Sequence, residues 1–258
     1  MLIDSHCHLD RLDLTPFDGE LANALAFAQE RGVERFLCVA IDMENVNAVI
    51  DIARHYPQIY ASVGVHPNEQ GREEPTVEQL LQLAADDKVI AIGETGLDYF
   101  RSEGDLSWQH QRFRTHITAA KECGKPLIIH CREAREDTLK MLAEEGADEV
   151  GGIMHCFVED MATAERAMEL GFYISFSGIV TFNSASELKE VARTIPAERL
   201  LVETDAPYLA PMPYRGKSNQ PAYVREVAEY VAELRGVSYE EIAQQSGDNF
   251  RRLFGQDG

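Results

Sequence analysis

The 258-residue sequence is poor in cysteine and contains no long hydrophobic run. Its five cysteines are an odd number, and no two of them have CxxC spacing, so reduced thiols are favoured over a disulfide framework. No apolar stretch is long enough to cross a bilayer, and no basic, apolar leader with a cleavage site opens the chain. We therefore expect a cytoplasmic protein that is not bound to a membrane, and no obligate protein partner is evident.

Cations are also scarce in this sequence. The 24 Lys and Arg residues are outnumbered by 44 Asp and Glu residues, which gives a formal net charge of −20. A surface this acidic repels polyanions at long range. It argues against a protein that coats DNA, which would need a broad basic footprint. It leaves open an enzyme that takes a single phosphodiester end into a cationic pocket.

Eight short apolar runs alternate with helical patterns along the chain. The runs lie at residues 2–3, 35–40, 59–65, 89–93, 126–129, 151–154, 172–176 and 200–204. This alternation predicts parallel strands joined by crossover helices. Eight such units fit an α/β fold of the (β/α)8 TIM barrel type, with a single domain over residues 1–258. A doubly wound open sheet is the alternative.

Residue types that bind metals follow several of these runs. Five of the eight histidines do so, with one glutamate and one aspartate: His6, His8, His66, Glu94, His130, His155 and Asp205. The carboxyl ends of barrel strands form active sites, and burying polar groups there without partners is costly. The other three histidines fall in or near predicted helices, and we interpret them as structural: His55, His110 and His116.

Six of these residues are best explained by metal binding. His6 and His8 are two apart in an extended segment, so both rings project from one face and can share a cation. The whole set suits two divalent ions (Zn, Mn or Mg), with Glu94 as a bridge: His6, His8, Glu94, His130, His155 and Asp205. Two ions would clamp the oxygens of an in-line displacement and activate a water, and Asp205 could orient that water or accept its proton.

Longer motifs run through the chain in a recognisable order. They read DSHCHLD (4–10), GVHP (64–67), IGETGLDY (92–99), PLIIHCR (126–132), HCF (155–157), ETDAPYL (203–209), RGKSNQP (215–221) and NFRRLF (249–254). In these motifs the chain resembles the TatD family of metal-dependent deoxyribonucleases, within the amidohydrolase-like barrels. The resemblance implies that His6, His8 and Asp205 bind one ion, that His130 and His155 bind the other, and that Glu94 bridges them.

The family resemblance also implies hydrolysis of DNA phosphodiesters, in some members as 3′–5′ exonuclease action on a DNA end or single strand. His66 is placed to donate to a phosphate oxygen, and Arg132 and Arg215 can grip a phosphate through paired hydrogen bonds. Loop aromatic and cationic side chains could stack on a base: Tyr99, Phe100, Arg101 and Tyr208. Glu203 is either a partner of the site or a core acid.

Two alternative functions remain open. The same metal pair hydrolyses amides and esters in related barrels, so an acyl or aminoacyl-tRNA substrate is the second hypothesis. An apolar acyl pocket in place of phosphate-binding cations would favour it. The third hypothesis is an inactive barrel that serves as a binding module. It predicts loss of one or more metal ligands, and all six are present.

Overall fold

The computed structural model describes residues 1–256, in which strands and helices alternate. The strands are β1 Leu2–Cys7, β2 Val33–Cys38, β3 Ile59–Val63, β4 Val89–Asp98, β5 Leu127–Arg132, β6 Gly152–Met154, β7 Phe172–Phe176 and β8 Leu200–Val202. The helices are α1 Leu21–Glu30, α2 Val46–His55, α3 Val77–Ala84, α4 Ser107–Cys123, α5 Arg135–Glu144, α6 Met161–Glu169, α7 Ser186–Thr194, α8 Val224–Arg235 and α9 Tyr239–Phe254. Within residues 1–256, no helix has the length and apolar character needed to span a bilayer.

The eight strands form one sheet whose neighbours follow sequence order from β1 to β8. The sheet is nearly closed, because the end of β8 is bonded to β1. The main-chain N–H of Asp205 donates to the oxygen of His6 at 2.9 Å, and the Ser5 hydroxyl donates to the oxygen of Val202 at 3.0 Å. The predicted (β/α)8 barrel is confirmed. The doubly wound alternative is wrong, because its strand order would reverse at a switch point. The extent of a single domain over residues 1–258 stays a prediction.

Strand β4 is longer than the apolar run predicts. It continues past Gly93 to Asp98, because residues after Glu94 pair with β5, as in the register of Thr95 with Ile129. Gly96 permits this close pairing. A Cβ atom there would lie 2.0 Å from the oxygen of His130, and the φ of Gly96 is +134°. Glu94 therefore lies inside a strand rather than at its end.

Two helices begin later than their sequence patterns predict. The helical spacing of apolar residues over 17–31 predicts a helix from residue 17, but helix α1 starts at Leu21, because Asp18 has a φ of 56° and ends a short 3-10 turn. Helix α8 starts at Val224, after a separate 3-10 turn over Pro221–Tyr223. Neither difference moves a predicted site residue.

Contacts divide the chain into two compact units. The first comprises residues 1–38, 156–164 and those from 174 onward. In it, α9 packs on β1 and β8 so closely that a Cβ atom on Gly247 would lie 2.3 Å from the oxygen of Met1. The buried Asn249 amide donates to the oxygens of Ala197 and Leu200, at 2.7 and 2.8 Å. Asn249 thereby joins α9 to the start of β8.

The second unit comprises residues 39–155 and 165–173. In it, α4 packs against the sheet through the buried ring of His116. Nε2 of His116 accepts the main-chain N–H of Val65 at 2.9 Å, and Nδ1 lies 2.8 Å from the oxygen of Arg112, to which it donates. Burial lowers the pKa of His116 to about 4, so the ring is neutral near pH 7. The interpretation of His116 as structural agrees with these contacts.

Replacing Asn249 with alanine should destabilise the fold. The change removes a donor from the oxygen of Leu200 and one of the two donors from the oxygen of Ala197, and we expect a loss of about 2–3 kcal/mol in the free energy of unfolding. Urea unfolding measures this loss. Gln244→Ala, on the exposed side of the same helix, is the control and should cost less than about 0.5 kcal/mol. Equal losses for the two variants would contradict the proposed role of Asn249.

His116 should make stability depend on pH. The pKa of His116 is about 4 in the folded protein, below the ordinary value of 6.5. Between pH 4 and pH 6.5 the ring is therefore protonated in the unfolded chain and neutral in the folded protein. The free energy of unfolding therefore falls as the pH drops through this window, by about 3 kcal/mol from this residue.

The measurement is urea unfolding at several pH values across that window. His116→Gln keeps an acceptor for Val65, and its stability curve should be flatter than that of the wild type by this amount. His55→Gln, at an exposed position, is the control and should follow the wild-type curve. Parallel curves for wild type and His116→Gln would refute the expectation.

Candidate metal centre

The first unit brings together His6, His8 and Asp205 at the end of β1 and after β8. The two Nε2 atoms are 3.3 Å apart, and Oδ1 of Asp205 lies 3.6 Å from Nε2 of His6 and 3.2 Å from Nε2 of His8. Both rings are buried. Main-chain bonds hold the segments together, since the N–H of His8 donates to the oxygen of Ala206 at 2.8 Å.

Asp4 supports this cluster from within β1, a role that sequence reasoning missed. Its buried carboxyl accepts the main-chain N–H of Thr204 at 2.9 Å and the hydroxyl of Thr204 at 2.5 Å. Burial raises the pKa of Asp4 to about 8. Asp4 thereby fixes the residue before Asp205 against the strand that carries His6. Its position two residues before His6, on the same strand face, was the available signal.

The second unit surrounds one carboxylate with three imidazoles. Oε1 of Glu94 lies 3.1 Å from Nδ1 of His130, 3.1 Å from Nε2 of His155 and 3.3 Å from Nε2 of His66. Burial by itself raises the pKa of Glu94, but the nearby histidines bring it well below its ordinary value. Burial lowers the pKa of His66. The cluster therefore joins an ionised carboxylate to a neutral His66 ring near pH 7.

A carboxylate outside the predicted set fixes the His130 ring. Oδ2 of the buried Asp98 accepts Nε2–H of His130 at 3.0 Å, so Nδ1, on the side of Glu94, is the nitrogen that would ligate a metal ion. Burial lowers the pKa of His130, but the bonds to Asp98 and Glu94 outweigh it and raise this pKa. The same Oδ2 accepts the Asn68 amide at 2.8 Å. Burial raises the pKa of Asp98, but the bonds from His130 and Asn68 outweigh it, so this pKa is below its ordinary value. The sequence contained a clue to this role, because Asp98 lies four residues after Glu94 and therefore on the same face of an extended strand. The clue was missed because the predicted strand ended at Gly93.

His66 has the opposite tautomer to His130. Its Nδ1 accepts the main-chain N–H of Asn68 at 3.0 Å, so in the neutral ring Nε2 carries the proton. That N–H points to Glu94 and to Nδ1 of His130, which is 3.2 Å away. A protonated ring nitrogen donates a hydrogen bond and does not ligate a metal. The geometry is thus consistent with the predicted donor role of His66.

The donor atoms of the first cluster have the spacing that a metal ion requires. Ligand atoms held about 2.1 Å from one ion in tetrahedral geometry lie about 3.4 Å apart. The separations in the first unit are 3.2–3.6 Å. In the second unit the donor atoms of His66, Glu94 and His130 all lie within 4.8 Å of one another, and Nε2 of His155 lies 3.1 Å from Oε1 of Glu94. Each cluster offers imidazole nitrogen and carboxylate oxygen, a set that suits divalent cations. The number of ions and the bridging role of Glu94 stay predictions.

In the part of the chain that the structure describes, four cationic side chains at the end of β5 or on the segments that follow β4 and β8 form no hydrogen bond or ion pair. Within residues 1–256, the side chains of these four make no hydrogen bond and no ion pair: Arg101 and Arg132 in the second unit, and Arg215 and Lys217 in the first. The guanidinium of Arg132 lies 3.9 Å from the ring centroid of Phe100, and that of Arg215 lies 4.5 Å from the centroid of Phe182.

The remaining predicted residues are placed as follows. The hydroxyl of Tyr99 is held by His110 and Asp137, at 2.7 Å from each, whereas Tyr208 is half exposed and its ring centroid lies 6.0 Å from that of His8. Glu203 is buried, and its Oε1 accepts the main-chain N–H of Cys156 at 2.8 Å. All five cysteines are free thiols, in agreement with the expectation from their number.

Comparison with known proteins identifies the class. A family model described as TatD related DNase matches residues 3–255. The "Uncharacterized metal-dependent hydrolase YcfH" of Escherichia coli K12 is 49% identical over 253 residues, 98% of this chain and 95% of that protein. The "3'-5' ssDNA/RNA exonuclease TatD" of Klebsiella pneumoniae strain 342 is 32% identical over 252 residues, 95% of this chain and 96% of that protein.

Solved structures agree with the sequence comparisons. YjjV, a TatD homologue from E. coli K12, has a TM-score of 0.90 and 32% identity, with 98% of each chain covered. An organophosphorus hydrolase from Deinococcus radiodurans, with 17% identity and a TM-score of 0.66, shares the fold. The protein is therefore a metal-dependent hydrolase built on a (β/α)8 barrel. More narrowly, the chain belongs to the TatD-related DNase family.

Replacing Asp98 with asparagine should weaken metal binding in the second unit. The change removes the carboxylate that fixes the His130 tautomer, and losses of this kind typically lower metal affinity by about 10- to 100-fold. Zn²⁺ titration against a competing chelator measures the affinity. Asp137→Asn is the matched control, because it makes the same charge change at the partner of Tyr99. An unchanged affinity in Asp98→Asn would contradict the assigned role.

Proposed function

We propose that this protein is a deoxyribonuclease that hydrolyses phosphodiester bonds in single-stranded DNA and removes nucleotides from the 3′ end. The observation that carries the proposal is the set of four cations that make no hydrogen bond and no ion pair within residues 1–256, at the end of β5 or on the segments that follow β4 and β8. In a chain with a net charge of −20, carboxylates are in excess, so a guanidinium without one is available to an anion. An uncharged acyl substrate would have no use for these groups.

The relatives support the same class of substrate. The matching family model is described as a DNase, and the Klebsiella relative is named as an exonuclease for single-stranded DNA and RNA with 3′–5′ direction. The acidic surface favours a single strand end over a long duplex, because only a short part of a polyanion needs to approach the cations.

Six residues of the two clusters are proposed as metal ligands. We assign His6, His8 and Asp205 as ligands of one divalent ion, and Glu94, His130 and His155 as ligands of a second. When bound, such ions activate a water and stabilise the charge that develops on phosphate oxygens. The six ligands are those of the sequence-based prediction, in which Glu94 also bridges the two ions.

Three further roles involve the substrate directly. Asp205 orients the attacking water and accepts its proton. His66 donates its Nε2–H to a phosphate oxygen, in keeping with the acceptor role of its Nδ1. Arg132 and Arg215 each bind phosphate oxygens of the substrate through the N–H edge of the guanidinium group.

Glu94→Gln should abolish most of the activity. The amide keeps the size of the side chain but removes the charge that three histidines surround, and we expect kcat to fall by at least about 100-fold. The measurement is release of labelled mononucleotide from 3′-labelled single-stranded DNA by metal-stripped protein reconstituted with Mg²⁺, Mn²⁺ or Zn²⁺.

Glu122→Gln, an exposed position on α4, is the matched control and should leave the rate unchanged. A wild-type protein that binds metal and leaves DNA intact would refute the nuclease proposal. Hydrolysis of acyl esters by the same preparation would then favour the acyl-hydrolase alternative.

A further inference from the structure

The most exposed large apolar side chains are concentrated near strand ends. Within residues 1–256 they are Phe100, Tyr208, Met212 and Val158, with exposed fractions of 55%, 49%, 48% and 43%. Each lies on a segment that follows the carboxyl end of β4, β6 or β8. Phe100 is the most exposed of the four and has the most specific surroundings.

Phe100 forms a stack with Arg132. The guanidinium carbon lies 3.9 Å from the centroid of the ring, a distance typical of a guanidinium plane over an aromatic face. In the described part of the chain the Arg132 side chain has no hydrogen bond and no ion pair. One face of the guanidinium is therefore covered, while its N–H edge is available to a ligand.

The Phe100 loop is held to the residue that fixes His130. Oδ1 of Asp98 accepts the main-chain N–H groups of Phe100 and Arg101, at 3.0 and 2.8 Å, while Oδ2 accepts His130. The main-chain N–H of Tyr99 donates to the oxygen of Arg132 at 3.0 Å. A single buried carboxylate thus sets the position of the Phe100–Arg132 stack relative to His130.

We propose that the Phe100–Arg132 stack is a nucleobase subsite, which restricts the enzyme to nucleic acid whose terminal bases are unpaired. A base stacks on the exposed surface of the pair, and the N–H edge of Arg132 bonds to the adjoining phosphate. This inference rests on the proposed phosphodiesterase function and deepens it. A base inside a duplex is already stacked on both faces, so it must leave the helix before it can use this surface.

The chemistry of the stack favours a nucleotide over other ligands. An aromatic ring alone would accept any apolar group, and a guanidinium alone would accept any anion. Their combination, in a fixed position beside a hydrolytic cluster, matches a ligand with a flat π-face joined to a phosphate. An acyl chain offers neither feature, and an acidic peptide offers the charge without the flat face.

The test compares two substrates and three variants in steady-state kinetics. The substrates are a 3′-labelled single-stranded oligonucleotide and the same strand with abasic residues at its 3′ end. Phe100→Leu removes the aromatic face but keeps an apolar side chain, and Phe100→Trp retains a stacking surface. Tyr230→Leu is the matched control, since Tyr230 forms a cation–π pair with Lys189 at 5.5 Å on the outer helices.

We expect Phe100→Leu to raise KM for the normal strand by about 10-fold, with kcat nearly unchanged, as loss of one stacked base implies. The abasic strand should show the same raised KM with the wild type and no further rise with Phe100→Leu. Phe100→Trp and Tyr230→Leu should resemble the wild type. Because Phe100 is 55% exposed, thermal unfolding of Phe100→Leu should match that of the wild type.

Two results would overturn the inference. One is equal KM values for the normal and abasic strands with the wild type, which needs no variant. The other is a KM in Phe100→Leu that equals the wild-type value. Both results presuppose that the wild type hydrolyses the strand. If the wild type hydrolyses neither strand with any of the three metals, the proposed nuclease function itself is wrong. This outcome differs from failure of the subsite proposal, in which the wild type is active but Phe100 does not affect KM.

Discussion

The charge on Glu94 is the constraint on which much of the second unit depends. An ionised carboxylate that is buried without partners costs several kcal/mol, and this one is nearly inaccessible to solvent. Three imidazoles surround the same oxygen at 3.1–3.3 Å, and each comes from a different strand or strand end. The ends of β3, β5 and β6 must therefore converge on β4, and the registers of these strands are tied to that requirement.

Groups behind the rings decide what each histidine can do. His130 and His66 have neighbouring nitrogens 3.2 Å apart, yet one ring is backed by the Asp98 carboxylate and the other by a main-chain N–H. Asp98 accepts the Nε2–H of His130, whereas Nδ1 of His66 accepts the main-chain N–H of Asn68. The two histidines are neighbours in space but differ in role: His130 is suited to metal ligation, and His66 is suited to hydrogen-bond donation.

The alternation of apolar runs and helical patterns was sufficient to predict the barrel and the polar residues at its strand ends. Asp98 was missed because the apolar run stops at Gly93, whereas pairing with β5 continues the strand to Asp98. Asp4 was missed because its partner, Thr204, is 200 positions away in the sequence. Short-range patterns report burial and periodicity. They do not report which distant polar groups meet across the closing seam of a sheet.

The scarcity of cations becomes informative once their partners are known. Most of the 24 basic side chains are held by carboxylates or main-chain oxygens, as Arg112 is by Glu74 and His66. Over distances beyond about 10 Å, salt screens the repulsion that the acidic surface exerts on a polyanion. At contact, the few uncommitted guanidiniums act without competition, and those stacked on aromatic rings keep a fixed plane. A net negative protein can therefore recognise one phosphate at a strand end while it avoids broad binding to nucleic acid.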